Sequence, residues 1–345
     1  MMLFNSVESR KPAFRLALLA VVVAVMVVVL GAFTRLVDAG LGCPDWPGCY
    51  GYIMWPESEA EIASANQIFP DAPVETDKTW PEMVHRYFAA GLGVITIGLL
   101  VMCWRSRSAV SHQPIKLPIF LLALIILQGM FGMWTVTLKL WPQVVTLHLL
   151  GGFTTLSLLW LLTLRLNNSH WQVNTASYNS LLRLKPLTII GLLIVVVQIA
   201  LGGWTTSNYA ALACPDLPTC QAQWLPNMDF AEGFNFLQGI GPNYLGGVMN
   251  NEARVAIHFA HRVGAVVTLL YVGWLTLQLW RAGFAGTKLM AQVIASVLLL
   301  QFCLGLSNIL FNFPLFVAVS HNAIGALLLL TLVTLTHRLY TAKLR

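Results

Sequence analysis

The sequence predicts an all-α integral membrane protein whose eight transmembrane helices form two pseudo-symmetric four-helix bundles. Three observations predict it. The 345 residues are 57% hydrophobic and only 10% charged, with a mean hydropathy of +0.72, far more apolar than a soluble domain requires. Eight stretches with the ~20 mostly apolar residues that cross a bilayer lie at 16–34, 84–104, 117–138, 142–164, 186–206, 255–280, 287–310 and 314–337. The first half of the chain can also be laid over the second at matched spacings.

The first stretch follows Arg10, Lys11 and Arg15. It is longer than a signal-peptide core and lacks a small-residue cleavage site, so it reads as a retained anchor. All acidic residues except Glu8 lie between Asp38 and Glu252, in the two long loops or at the mouths of the helices that follow them. Basic residues gather at the N-terminus, around Arg105, Arg107 and Lys116, around Arg165, Arg183 and Lys185, at Arg281 and Lys288, and at Arg338, Lys343 and Arg345. This alternation obeys the positive-inside rule across all eight spans. It places both termini in the cytoplasm and both long loops outside, in a multi-pass protein of the cell's inner (cytoplasmic) membrane. The net charge of +6 is therefore a topology signal, which removes nucleic acid from the expected partners and keeps membrane lipid.

The first outer loop carries CPDWPGC, with Cys43 and Cys49, and the second CPDLPTC, with Cys214 and Cys220. Both face an oxidising compartment under this topology, so Cys43–Cys49 and Cys214–Cys220 are expected disulfides; incidental or metal-binding thiols are the alternative. Cys103 and Cys303 fall inside spans and read as buried apolar fillers. Residues 57–78, ESEAEIASANQIFPDAPVETDK, match no motif and have the composition of a flexible insert. The aromatic residues Trp46, Trp80, Trp141, Trp204 and Trp224 read as anchors at the outer membrane boundary.

The repeat is anchored at many points. Thr34 precedes Cys43 by nine residues, and Thr205 precedes Cys214 by nine. Glu82-Met-Val-His85-Arg86 aligns with His258-Phe-Ala-His261-Arg262, and Gln128 and Gln301 each lie twenty residues before a histidine, His148 and His321. The units are about 1–170 and 180–345, joined by a polar inner linker at 167–180. Four spans per unit make them parallel repeats about an axis along the membrane normal.

His112, His170 and His337 sit in inner loops or at an inner helix end and read as solvated or interfacial. His85, His148, His261 and His321 instead lie near the outer ends of the second, fourth, sixth and eighth spans, two per unit at matched places. An ionisable group within a span needs a partner. Zinc wants three or four protein ligands. A di-iron centre uses Glu-x-x-His, as in Glu82 to His85, but needs more inward carboxylates than this chain offers. Two facing imidazoles in an apolar four-helix unit suit a six-coordinate b-type haem.

Arg86 and Arg262 follow ligand candidates directly and are candidates for haem propionates, with membrane-edge snorkelling as the alternative. Glu82 shares a helix face with His85, whereas the other half has His258 there. A carboxylate beside one site alone implies different tasks for the two sites. Glu82 is the candidate to move a proton or stabilise developing positive charge, and a capping acid at a helix N-terminus is the alternative.

The chain resembles the haem A synthase family over nearly its whole length. The resemblance rests on TRLVDAGLGCPDWPGCYG (34–51), EMVHRYFAAGLG (82–93), LHLLGG (147–152), LGGWTTSNYAALACPDLPTC (201–220), HFAHRVGAV (258–266) and SHNAIGAL (320–327), in order and at matched spacing. It implies a haem-dependent membrane oxidoreductase. The N-terminal unit would take haem O as substrate between His85 and His148, with Glu82 in the catalytic position; the C-terminal unit would keep haem B on His261 and His321. A ring methyl of haem O would become a formyl group by successive hydroxylations, giving haem A for cytochrome oxidase. Expected partners are haem O, a haem O synthase that would feed the site, an electron donor and a second copy of the chain; small residues such as Gly91, Gly93, Gly151 and Gly152 suit close packing either within the bundle or between copies. A di-haem electron-transfer subunit and a haem carrier are the competing readings.

Overall fold

The computed structural model describes residues 2–107, 114–167 and 170–345, with side chains from Lys11 onward. Its helices are α1 (Met2–Leu36), α2 (Glu59–Ile68), α3 (Thr76–Arg105), α4 (Lys116–Thr137), α5 (Pro142–Asn167), α6 (Thr175–Ser207), α7 (Phe230–Gly233), α8 (Asn251–Arg281), α9 (Ala285–Leu310) and α10 (Leu315–Thr341). Eight are long and apolar enough to span a membrane: α1, α3, α4, α5, α6, α8, α9 and α10. The protein is an all-α integral membrane protein. Between α5 and α6 lies a short strand β1 (Gln172–Val173), and after α10 a strand β2 (Lys343–Leu344); the two pair in parallel, a link absent from the sequence reading.

The core runs through the middle of the helices. Ala17, Leu99, Leu121, Leu159, Leu275 and Leu332 are completely buried. Leu270, Leu299 and Val197 on the outward faces are more than half exposed, which hydrocarbon tails would cover at no cost. α1 packs on α3 and α5, α6 on α8 and α10, and α5, α6, α1 and α10 join the halves. The helix ends recur in pairs. After α1 and α6 the amides of Ala39 and Ala210 donate to Thr34 and Thr205 carbonyls, 2.9 Å each, with Asp38 and Tyr209 in the left-handed region. After α4 and α9, Leu140 and Phe313 bond back to Thr135 and Asn308 over 2.8 and 2.7 Å.

Several expectations change. Residues 57–78 are not simply flexible: they build α2, whose N-cap Ser58 and Glu61 close a capping box. Ala65 of α2 is completely buried in a cluster with Cys43, Cys49, Tyr50 and Met83, so the insert covers the first disulfide loop. The Tyr50 phenol there donates to the Pro73 carbonyl over 3.2 Å, and burial, reinforced by Glu75, Glu82 and Asp45, pushes its pKa up to about 12. Cys303 is exposed, facing outward from α9 rather than filling a core. Trp204 is 3% exposed and donates to the Gly233 carbonyl over 2.8 Å, so it packs beneath the long loop between α6 and α8 rather than standing free as a boundary anchor. His337 is buried rather than solvated because α10 runs on to Thr341. His112 lies outside the described residues.

Candidate functional site

Each disulfide loop is built around its CPDxPxC motif. The Asp45 carboxylate accepts the amides of Tyr50 and Gly51 over 2.6 and 2.8 Å; Asp216 accepts those of Gln221 and Ala222 over 2.6 and 3.0 Å, along with the Thr219 hydroxyl. Carboxylates are the strong acceptors that close such turns. Hydrogen bonds from Thr219, Ala222 and Gln221 hold the Asp216 carboxyl below its ordinary pKa. Both pairs, Cys43–Cys49 and Cys214–Cys220, are disulfides, with Cα atoms 4.8 and 4.6 Å apart.

The residue three before each second-span histidine ties that loop to its helix. Glu82 is 5% exposed; its Oε2 accepts the Cys43 amide over 3.0 Å and its Oε1 is ion-paired with Arg86. At the matched position, His258 Nδ1 accepts the Cys214 amide over 3.2 Å. The following arginines clamp the loops from below. Arg86 Nη1 donates to the carbonyls of Asp45, Pro47 and Gly48 at 3.1, 3.2 and 2.6 Å. Arg262 donates to Thr219 and Cys214 carbonyls at 2.8 and 2.6 Å. Much of the donor capacity of these two guanidiniums, the propionate candidates, goes to loop carbonyls, and Nε of Arg262 is buried without a protein partner.

His85 of α3 and His148 of α5 face each other, ring centroids 6.3 Å apart and planes at 89°. Metal–imidazole bonds of about 2.0–2.1 Å would put two axial nitrogens ~4 Å apart and their ring centres ~2 Å further. The pair therefore has the spacing of two axial ligands on one metal. Nδ1 of each is buried without a protein partner. Among the described residues no group of three or more His, Cys, Asp and Glu could hold a metal ion, so neither a zinc nor a di-iron ligand set exists there. A porphyrin supplies its own four equatorial nitrogens and needs only the two imidazoles.

A glycine lies against each of the four histidines, a feature the sequence reading missed. A Cβ on Gly31 would stand 2.9 Å from His85, on Gly132 3.6 Å from His148, on Gly202 3.2 Å from His261, and on Gly305 3.2 Å from His321. Gly31 and Gly202 share a repeat register with Thr34 and Thr205, and Gly132 and Gly305 with Gln128 and Gln301. That register was the signal available. The glutamines differ between halves: Gln301 Nε2 is 3.3 Å from His321 Nε2, while Gln128 packs its amide against Gly151.

The family described as cytochrome oxidase assembly protein matches residues 14–333 of the chain. A protein of Shewanella oneidensis named Heme A synthase is 46% identical over 324 residues, covering 93% of this chain and 95% of its own. Proteins of the same name from Rhizorhabdus wittichii and Halalkalibacterium halodurans are 27% and 26% identical, covering 94% and 89% of this chain and 93% and 90% of theirs.

Proposed function

We propose, because the chain belongs to the cytochrome oxidase assembly protein family, that it is a haem A synthase. Its substrate is haem O, one ring methyl of which becomes a formyl group by two successive hydroxylations and loss of water from the geminal diol; the haem A serves cytochrome oxidase. The observation that carries this reading is the facing pair His85 and His148 with a buried carboxylate, Glu82, in the same half only.

In this reading residues 1–170 form the substrate unit, and His85 and His148 hold the substrate iron between their rings. Glu82 is held in one orientation by the Cys43 amide and Arg86, so its charge needs no reorganisation when positive charge develops at the substrate carbon. It also serves as the base for a proton leaving that carbon's oxygen. Residues 180–345 form the second unit, where His261 and His321 would hold haem B. The donor set fits, since neutral imidazoles in an apolar bundle are what a b-type haem takes. When bound, that haem supplies one-electron redox chemistry that no side chain here offers. Nε of Arg262 is the donor left for a propionate. The two units are read as repeats about an axis along the membrane normal, with both termini in the cytoplasm and the disulfide loops outside. A haem O synthase upstream and a separate electron donor complete the scheme.

The test is a chromatographic haem profile of cells that make haem O, with the chain, without it, and with Glu82→Gln. Haem A only with the unmodified chain is the expected result. Haem O left unconverted by a chain that binds haem B, under adequate oxygen and reductant, would overturn the reading in favour of a di-haem electron-transfer subunit.

A further inference from the structure

From Gly233 to Asn251 the long loop between α6 and α8 carries no charged residue, whereas the insert of the first half at 57–78 is strongly acidic. Phe236, Ile240 and Val248 are more than half exposed in this loop, and Leu237 is 91% exposed. Large apolar side chains gathered on one exposed segment mark an interaction surface. The loop is fastened to the end of the membrane-spanning bundle. Gln143 donates to the Phe236 carbonyl over 3.1 Å, and Trp141 to the Gln238 carbonyl and the Tyr244 amide to the Lys139 carbonyl over 3.0 Å each. Residues 139, 141 and 143 lie where the spans α4 and α5 meet. Gln143 is one helical turn from Leu147, which is half exposed on the outward face of α5. The loop therefore continues a face that hydrocarbon covers.

Its backbone is paired as a dry neighbour demands. A segment against hydrocarbon has no water for its peptide groups and must satisfy them within the protein. Besides the carbonyls of Phe236 and Gln238, the Gly239 carbonyl accepts the Tyr244 phenol, and the Tyr244 carbonyl accepts the Gly247 amide over 2.9 Å. Arg254 donates to the Gly247 and Met249 carbonyls over 3.2 and 3.0 Å. The amides of Leu237 and Leu245 donate to the side chains of Asn235 and Asn243 over 2.9 and 3.0 Å.

We propose that residues 234–249 are an interfacial membrane anchor, with Phe236, Leu237, Ile240 and Val248 set into the headgroup and acyl boundary of the leaflet beside the α4–α5 turn. Lipid is the occupant because the segment lacks the polar, charged rim that borders a protein docking patch and adjoins the lipid-facing stripe of α5.

The experiment uses the full chain in nanodiscs of phosphatidylethanolamine and phosphatidylglycerol. Cys303→Ala removes the exposed thiol, and Cys103, completely buried, takes no label. Leu237→Cys then carries a nitroxide in the loop, and Ala60→Cys, on the exposed face of α2, carries the control. Both side chains are exposed, so neither label disturbs the packing. Oxygen, which concentrates in lipid, should relax the label at 237 more than a water-soluble nickel chelate does, by the ratio of a site ~5–10 Å deep in the boundary region; the label at 60 should show the reverse. A label at 237 as open to the chelate as that at 60 would overturn the proposal by placing the loop in water. A label at 237 shielded from both reagents would overturn it in favour of a second copy of the chain on this surface.

Discussion

At position 82 a carboxylate accepts the Cys43 amide and pairs with Arg86; at the matched position 258 an imidazole accepts the Cys214 amide. The tie to the loop is thus common to both halves, and only the charge is special to the first. Glu82→Gln keeps an oxygen for Cys43 and gives up about 1.5–3 kcal/mol of charged hydrogen bonding. Glu82→Ala leaves the Cys43 amide without its acceptor and the Arg86 charge without its counter-ion, and costs about 3–5 kcal/mol. We expect both variants to lose haem A formation, and thermal unfolding in detergent to separate them, the alanine chain melting lower. An active Glu82→Gln chain would show that the residue's work is structural alone. Residues such as Glu82 and the four histidines were legible because an ionisable group in an apolar run stands out. Gln198, whose amide lies 3.2 Å from His261 Nδ1, was not, since a repeat is read by its matches and position 198 pairs with Val27.

The elements were legible in number and order but less so at their ends. α6 starts at Thr175, eleven residues before its apolar stretch, and α10 runs to Thr341, because polar helical turns extend beyond the part that hydropathy marks. The helix contacts that build the site depend on missing atoms, which composition does not display. Gly31 of α1 leaves room for His85 of α3, and a methyl group there would stand 2.9 Å from the ring. Gly31→Ala should displace that imidazole and cut haem A yield by at least ~10-fold, the scale of losing a ligand's support, while haem B content stays at the wild-type level. Equal loss of both would mean the helix pair as a whole had shifted. α2 carried a readable signature, Ser58 three residues before Glu61, hidden by a composition typical of loops. Ala65→Lys puts a charge into the cluster that covers Cys43–Cys49, so reduction of that disulfide by added thiol should quicken relative to Cys214–Cys220. Equal rates would mean that α2 does not shield the bond.

At the scale of the whole molecule, two halves that the proposed reading gives different tasks must be held in register. Arg35 at the end of α1 donates to the Thr206 carbonyl at the end of α6 over 2.7 Å, and Tyr209 donates to Asp38 over 3.0 Å. The Arg35 guanidinium also lies 4.1 Å above the Tyr209 ring. Residues 35 and 206 are equivalent in the repeat, as are 38 and 209. Equivalent residues meet each other only beside a two-fold relation, as in an isologous interface, so this cluster is where the proposed axis would emerge on the loop side. The long loop between α6 and α8 adds a strap, with Trp141 donating to Gln238 and Tyr244 to Lys139, 3.0 Å each. Arg35→Ala removes a charged hydrogen bond worth about 1.5–3 kcal/mol and a cation–π contact worth about 0.5–2. Neither touches a histidine, so each half should keep its haem. The variant should melt several degrees lower with its haem content unchanged. Its rate of haem A formation should also fall, because electrons in the proposed scheme pass from one half to the other and depend on their spacing. A chain with wild-type melting would show that helix packing in the core, rather than this polar cluster, sets how the halves meet.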